Sequence, residues 1–231
     1  MARPLSLSPQ DVWQQLYSAE MPLGAHPDST FATSLLDGRR LRLPIRVLPG
    51  GTERGVASLI LNQASFEVLD ALADTLLGQI APLQPEIIVA VPTLGLPLAE
   101  ALARRLGHAR MVPLSTSRKF WYDDALSQPI SSITTPDQAK RIFLDPRMLP
   151  LLDGRRVVLV DDVLSSGTSI TAALRLLRTA GIAPLGIAAA MLQGKAWQVR
   201  VRDEAPEAQV FGAIRTPILR CSGETWTPED E

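Results

Sequence analysis

Val157-Val158-Leu159-Val160-Asp161-Asp162-Val163-Leu164-Ser165-Ser166-Gly167-Thr168-Ser169 is the stretch on which the reading of this 231-residue chain turns. Four apolar residues, apolar on both faces as a central parallel strand must be, run into two adjacent carboxylates. In open α/β sheets ligands bind just beyond the carboxyl ends of the strands, which is where these acids fall. Neighbouring carboxylates repel one another, and desolvating them is costly unless hydroxyl donors or a cation satisfy them. A sugar diol or a hydrated Mg²⁺ would do so. The loop that follows has the opposite preference. Ser165, Ser166, Thr168 and Ser169 supply hydroxyls, Gly167 permits close backbone approach, and the helix after them presents free N–H groups and the positive end of its dipole. Such a cradle suits a phosphate. Carboxylates for a diol next to a nest for a phosphate describe a ribose 5-phosphate site. Taken singly, Asp162 and Ser169 read more simply as turn caps; taken in order on one strand end, these residues favour the site.

Outward from this stretch, strand and helix patterns alternate. Ile87–Val91 is a second doubly apolar strand; the turn Pro92–Leu96 leads into a helix with Pro97 at its start and Gly107 past its end. A strand near Met111–Leu114 precedes a long polar stretch, Ser115–Lys140, and Leu185–Leu192 follows a helix ending at Gly181. Upstream, Phe66, Leu69, Leu72, Ala73, Leu76, Leu77 and Ile80 mark an amphipathic helix capped near Ser65. Leu41, Leu43, Ile45 and Val47 alternate with polar residues and Pro44, predicting an edge strand or two short ones. Ser8-Pro9-Gln10-Asp11 followed by Val12, Trp13, Leu16 and Tyr17 predicts a short helix, and Gln209–Ile214 one more strand. The expected class is α/β: a mostly parallel central sheet with helices on both faces. One domain spanning 1–231 is expected, its core about 55–192, with a small hood from about 1–54 and 193–231.

Composition narrows the function classes. Hydrophobic residues at 46% and charged residues at 20% describe a globular chain. Lys and Arg total 23 against 24 for Asp and Glu, so the broad positive field of a non-specific nucleic-acid binder is missing, and no nucleic-acid partner is expected. One cysteine, Cys221, and two histidines leave no Cys/His zinc set and suit a reducing cytoplasm. The strongly apolar run Ile87–Ala99 is broken by Pro92 and Pro97 and falls short of the roughly 20 residues a membrane helix needs, and MARPLSLSPQDVW lacks the apolar region of an export signal. No membrane association is expected.

Strand, two acids, Val163 and Leu164, then a small-residue loop: this segment resembles the phosphoribosyl-pyrophosphate motif of type I phosphoribosyltransferases. Val91-Pro92-Thr93-Leu94-Gly95-Leu96-Pro97-Leu98-Ala99 is similar to that family's pyrophosphate loop. The resemblance covers roughly Glu86–Leu192 in the right order. It implies that Asp161 and Asp162 hold the ribose hydroxyls of phosphoribosyl pyrophosphate, directly or through Mg²⁺ (a water-mediated contact included). It also implies that Val163 and Leu164 line the site, that Ser165, Ser166, Gly167, Thr168 and Ser169 hold the 5-phosphate, and that Thr93, Leu94 and Gly95 offer backbone N–H groups to the pyrophosphate. The implied activity is transfer of ribose 5-phosphate to a nucleobase or base-like acceptor in nucleotide salvage or synthesis, by a homodimer.

Two departures from the family pattern matter. Many relatives carry Arg or Lys in the pyrophosphate loop, whereas Thr93-Leu94-Gly95 has neither; Ser165 stands where 6-oxopurine enzymes place an acid, which points toward adenine-like or orotate-like acceptors. Ser117-Arg118-Lys119-Phe120-Trp121-Tyr122-Asp123-Asp124 supplies the missing cation and holds three consecutive aromatics in a chain with only Trp 4, Tyr 2 and Phe 5. Two readings stand side by side: a closing lid in which Arg118 or Lys119 meets pyrophosphate while Trp121 or Tyr122 covers sugar or base, and an anchor that pins the loop by its aromatics. Gln193–Trp197 borders the acceptor on fold analogy alone. A non-catalytic sensor of phosphoribosyl pyrophosphate or a nucleotide is the alternative function.

Overall fold

The computed structural model describes residues 8, 11–50, 53–130, 140–223 and 225–229. In chain order its elements are β1 (Gly24–His26), β2 (Thr30–Ser34), β3 (Arg40–Val47), β4 (Arg54–Ala57), α1 (Phe66–Ile80), β5 (Ile87–Ala90), α2 (Leu96–Arg105), β6 (Val112–Pro113), β7 (Ser127–Ile130), β8 (Lys140–Phe143), β9 (Val157–Leu164), α3 (Thr168–Thr179), β10 (Gly186–Gln193), α4 (Ala196–Glu204), β11 (Gln209–Thr216), β12 (Ile218–Ser222) and β13 (Thr225–Pro228).

Five strands form a wholly parallel sheet in the order β11-β10-β9-β5-β6. Strand order reverses between β5 and β9, and there the loops leaving their carboxyl ends open a crevice. Alternation along each strand feeds two cores. Ile88, Ala90, Val158, Val160, Ala188 and Ala190 pack with α1 and α2 on one face. Ile87, Val89, Val157, Leu159, Ile187 and Ala189 pack with α3 and α4 on the other. Helices therefore cover both faces, as the doubly apolar strands require, and the α/β class read from the sequence holds.

Local chemistry sets the helix ends. Ser65 caps α1, its Oγ accepting from the Val68 amide at 3.2 Å. Pro97 sits in the first turn of α2, where its missing N–H costs no hydrogen bond. Among the described residues no helix is long and apolar enough to cross a membrane.

A second sheet, in the order β1-β2-β3-β4-β12-β13, draws strands from both ends of the chain. Its seam is the antiparallel pairing of β4 with β12. Trp226 on β13 lies over Gly55 of β4, where a Cβ would come within 2.7 Å of the indole.

Several expectations need correction. Residues 11–17 form no α-helix, and Pro9 and Gln10 lie outside the described residues. Trp13 takes φ 59° instead, because long-range partners hold it: its Nε1 donates to the Ser58 carbonyl at 2.9 Å and its own carbonyl accepts from the Ser65 amide at 2.8 Å. Pro44 lies within a central strand, not an edge: β3 pairs with β2 through Arg40–Pro44 and with β4 from Ile45 onward. At that changeover the Pro44 carbonyl accepts from the Ser58 amide at 2.8 Å. The parallel sheet runs past the expected core limit at 192, since β11 joins it, and α4 lies between β10 and β11. The polar stretch from Ser115 carries regular structure, the β7–β8 hairpin, although 131–139 lie outside the described residues.

Candidate active site

Both acids belong to β9 itself, which continues to Leu164 instead of turning at Asp161. Asp161 is only 4% exposed and Asp162 is half-buried. Burial, then the neighbouring Asp162 charge, pushes the Asp161 carboxyl well above its ordinary range; burial also raises Asp162. One Asp161 oxygen accepts from the Asp162 amide at 2.9 Å. Among the described residues neither acid has a cationic partner, so the pair needs hydroxyl donors or a cation from a ligand.

Ser165–Gly167 then cross from β9 to α3. Gly167, at φ 80°, is the N-cap and has no side chain with which to take the first-turn amides of α3. Among the described residues the Thr168 amide reaches Ser166 Oγ at 3.4 Å, and the Ser169 and Ile170 amides are left to meet an anion. Ser166 Oγ and Thr168 Oγ1 lie 3.0 Å apart, so two hydroxyls converge on the same mouth. Thr168 and Ser169 are the first two residues of α3, with Ser169 exposed and Ser165 half-buried. Val163 is half-buried and Leu164 is in the core beneath.

The turn after β5 sits directly against the acids. Val91 extends the ladder, its amide donating to Val160 at 2.8 Å. A Cβ on Gly95 would meet the Val91 carbonyl at 2.7 Å, the Asp161 Cα at 2.9 Å and the Val160 carbonyl at 3.2 Å. Gly95 is thus the point where the turn after β5 meets the backbone of β9 at Val160 and Asp161, and only glycine fits. Thr93 is exposed, Leu94 half-buried, and the Pro92–Thr93 peptide is cis. Asp161, Asp162, the Ser165–Ser169 loop and Thr93–Gly95 therefore share one crevice at the strand-order reversal.

The aromatic stretch is placed differently. Trp121, 42% exposed, donates from Nε1 to Asp145 Oδ2 at 3.3 Å and carries the Arg147 guanidinium 4.8 Å from its ring centroid. Tyr122 tilts against Phe143 at 6.1 Å. Arg118 is held by Asp124 at 2.6 Å, while Lys119 is exposed with no side-chain partner among the described residues. Arg147, chiefly, holds the Asp145 carboxyl down at about 2. The recorded contacts of Trp121 and Tyr122 are those of an anchor, and Phe120, 90% exposed, projects beyond it. Sequence reasoning missed Asp145 and Arg147, although Asp-Pro-Arg is a legible helix-start signal: Asp145 caps the short 3₁₀ turn that Pro146 opens. It also missed how α4 closes on the hydroxyl loop, with the Trp197 Cα 3.0 Å from where a Gly167 Cβ would stand.

A cavity of about 580 Å³ elsewhere lies between β2 and β11, lined by Leu23, Phe31, Thr33, Ile214 and Arg215 among others. Neither acid and no residue of the hydroxyl loop lines it.

Comparison with known proteins bears on the same segments. Over 151 residues the chain is 31% identical to an adenine phosphoribosyltransferase of Roseiflexus sp. (strain RS-1), covering 64% of this chain and 80% of that one. Over 171 residues it is 30% identical to an orotate phosphoribosyltransferase of Xanthomonas campestris pv. campestris (strain B100), covering 74% and 66%. The crystal structure of the Giardia lamblia APRTase complexed with 9-deazaadenine superposes with a TM-score of 0.60 at 20% identity, over 75% of this chain and 93% of that one. The model of the phosphoribosyl transferase domain matches residues 56–212, most of the chain and the whole crevice. The protein belongs to the phosphoribosyl transferase domain family.

Proposed function

We propose that this protein is a phosphoribosyltransferase that moves ribose 5-phosphate from phosphoribosyl pyrophosphate to a nitrogen of a nucleobase or base-like acceptor. The observation that carries the reading is the close approach of Gly95 to β9 at Val160 and Asp161, which sets the two acids between a hydroxyl-rich anion cradle and the Thr93–Gly95 turn. The bond from the anomeric carbon to pyrophosphate breaks with its electron pair leaving on pyrophosphate. A carbon–nitrogen bond forms on the opposite face, and the acceptor gives up its N–H proton. The protein's part is to align the partners and to offset charge of opposite sign at the sugar and the leaving group.

In this reading Asp161 and Asp162 bind the ribose hydroxyls and the positive charge near them, and Ser165–Ser169 bind the 5-phosphate. Thr93, Leu94 and Gly95 present amides to pyrophosphate. Lys119, unpaired, is better disposed than Arg118, which Asp124 already holds, to reach the leaving group. Trp121 and Tyr122 set the position of that loop rather than cover the base.

The donor set suits Mg²⁺. Among the described residues no three acids, histidines or cysteines cluster as a ready-made metal cage; two carboxylates beside a phosphate site are what an ion that keeps most of its waters requires. Bound there, Mg²⁺ would neutralise charge on the pyrophosphate oxygens. Ser165, where an acid would serve a 6-oxopurine, supports an adenine-like or orotate-like acceptor, in line with the names of the two relatives. The setting is nucleotide salvage or synthesis in the cytoplasm, where lone Cys221 stays reduced, by a homodimer that sedimentation would reveal.

The test is ³¹P NMR of pyrophosphate release with Mg²⁺, phosphoribosyl pyrophosphate and adenine, orotate, hypoxanthine or guanine. Release with adenine or orotate is expected, and Asp161→Asn with Asp162→Asn abolishes it while the circular dichroism spectrum stays native. Wild-type turnover in that double variant overturns the assignment of the acids. Binding of phosphoribosyl pyrophosphate without release for every base overturns catalysis in favour of a sensor.

A further inference from the structure

We infer that Arg200, on α4, is a direct ligand of the substrate's 5-phosphate; the inference rests on the phosphoribosyl reading of the crevice. Arg200 lies well away in sequence from both loops, and tertiary packing alone brings it to one of them. Its Cδ stands 3.3 Å from the position a Gly167 Cβ would occupy, beside the Trp197 Cα at 3.0 Å. The aliphatic stem is thereby laid against the loop at Gly167, and Arg200 is an exposed residue.

Charge makes the placement informative. Between Asp161 and Ser169 the only ionisable side chains are the two acids, so a phosphate dianion entering the cradle faces like charge within the same short segment. Loop amides and the α3 dipole offset part of that repulsion; a guanidinium offers full charge and paired N–H donors. Arg200 is uncommitted, with no ion pair among the described residues. Its neighbours are not: Arg175 and Arg178 both bind Glu204, at 2.6 and 2.7 Å. Those pairs fasten α4 to α3 without Arg200, which leaves Arg200 no evident structural duty. Gly167 also gains a second reason to be glycine, since a side chain there would displace the Arg200 stem and the Trp197 backbone.

Calorimetry on the full chain with ribose 5-phosphate, phosphoribosyl pyrophosphate and inorganic pyrophosphate, each with Mg²⁺, tests this. Arg200→Met keeps the stem packing and removes the charge. It is expected to weaken ribose 5-phosphate and phosphoribosyl pyrophosphate by a common factor of about tenfold, to leave inorganic pyrophosphate unchanged, and to be partly rescued in Arg200→Lys. Unchanged ribose 5-phosphate binding in Arg200→Met overturns the inference, as does an equal loss for pyrophosphate, which would mark a general disturbance. Failure of the wild-type chain to bind any of the three would instead overturn the phosphoribosyl reading, and this inference with it.

Discussion

Asp145 shows how much one side chain can organise. It caps a 3₁₀ turn through the Arg147 amide at 3.0 Å, pairs with the Arg147 guanidinium and accepts from Trp121. All three interactions favour the carboxylate, which is why its pKa falls from 3.8 to about 2. A carboxyl with a depressed folded-state pKa stabilises the fold above its unfolded value and loses that contribution as pH falls through the folded one. Thermal melts of wild type and Asp145→Asn are therefore expected to differ by a constant interval above pH 4 and to converge as pH approaches about 2. An interval that stays constant down to that pH would mean that the charge of Asp145 is not what matters. Asp161 is the opposite case: burial first, and then a neighbouring acid, hold its carboxyl high.

At the scale of elements, the site is made where β5 and β9 end side by side. Their patterning was legible: both strands are apolar on both faces, and both run into loops with turn or small residues. Contact of the turn after β5 with β9 was not legible, because pairing of strands 70 residues apart in sequence decides it, with Ile87 opposite Val157. Gly95 records that contact. In Gly95→Ala the new methyl meets backbone atoms at 2.7 and 2.9 Å, which cannot swing aside as a side chain would. The expected cost is about 1–3 kcal/mol in urea unfolding, with weaker binding of inorganic pyrophosphate, since the turn is pushed off β9. A silent substitution at this position would show that the turn is not in close contact with β9. The missed α4 has a similar origin. Its segment is charged, and packing of Trp197 and Val201 in the core, not strong periodicity, makes it a helix.

Across the whole molecule, two sheets are joined by a chain that leaves the first, builds the second and returns. Trp226, near the C-terminus, closes the circuit by covering Gly55 of β4. It is 8% exposed, and Trp226→Ala is expected to cost about 3–5 kcal/mol in global stability while the folded fraction still binds ribose 5-phosphate, because the crevice belongs to the other sheet. Loss of binding in a fully folded variant would mean that the six-stranded sheet shapes the crevice. The sequence by itself determined the α/β class, the apolar strands of the parallel core and the residues of the acid and hydroxyl segment, because local periodicity and residue chemistry dictate those. Tertiary structure alone decided that Gly95 abuts Asp161, that Trp121 is tied to Asp145 and Arg147, that Pro44 sits inside a sheet, and that Arg200 lies beside Gly167. Each of these depends on which distant segments share a surface, and the free energy of that choice resides in packing between elements that no short window of sequence contains.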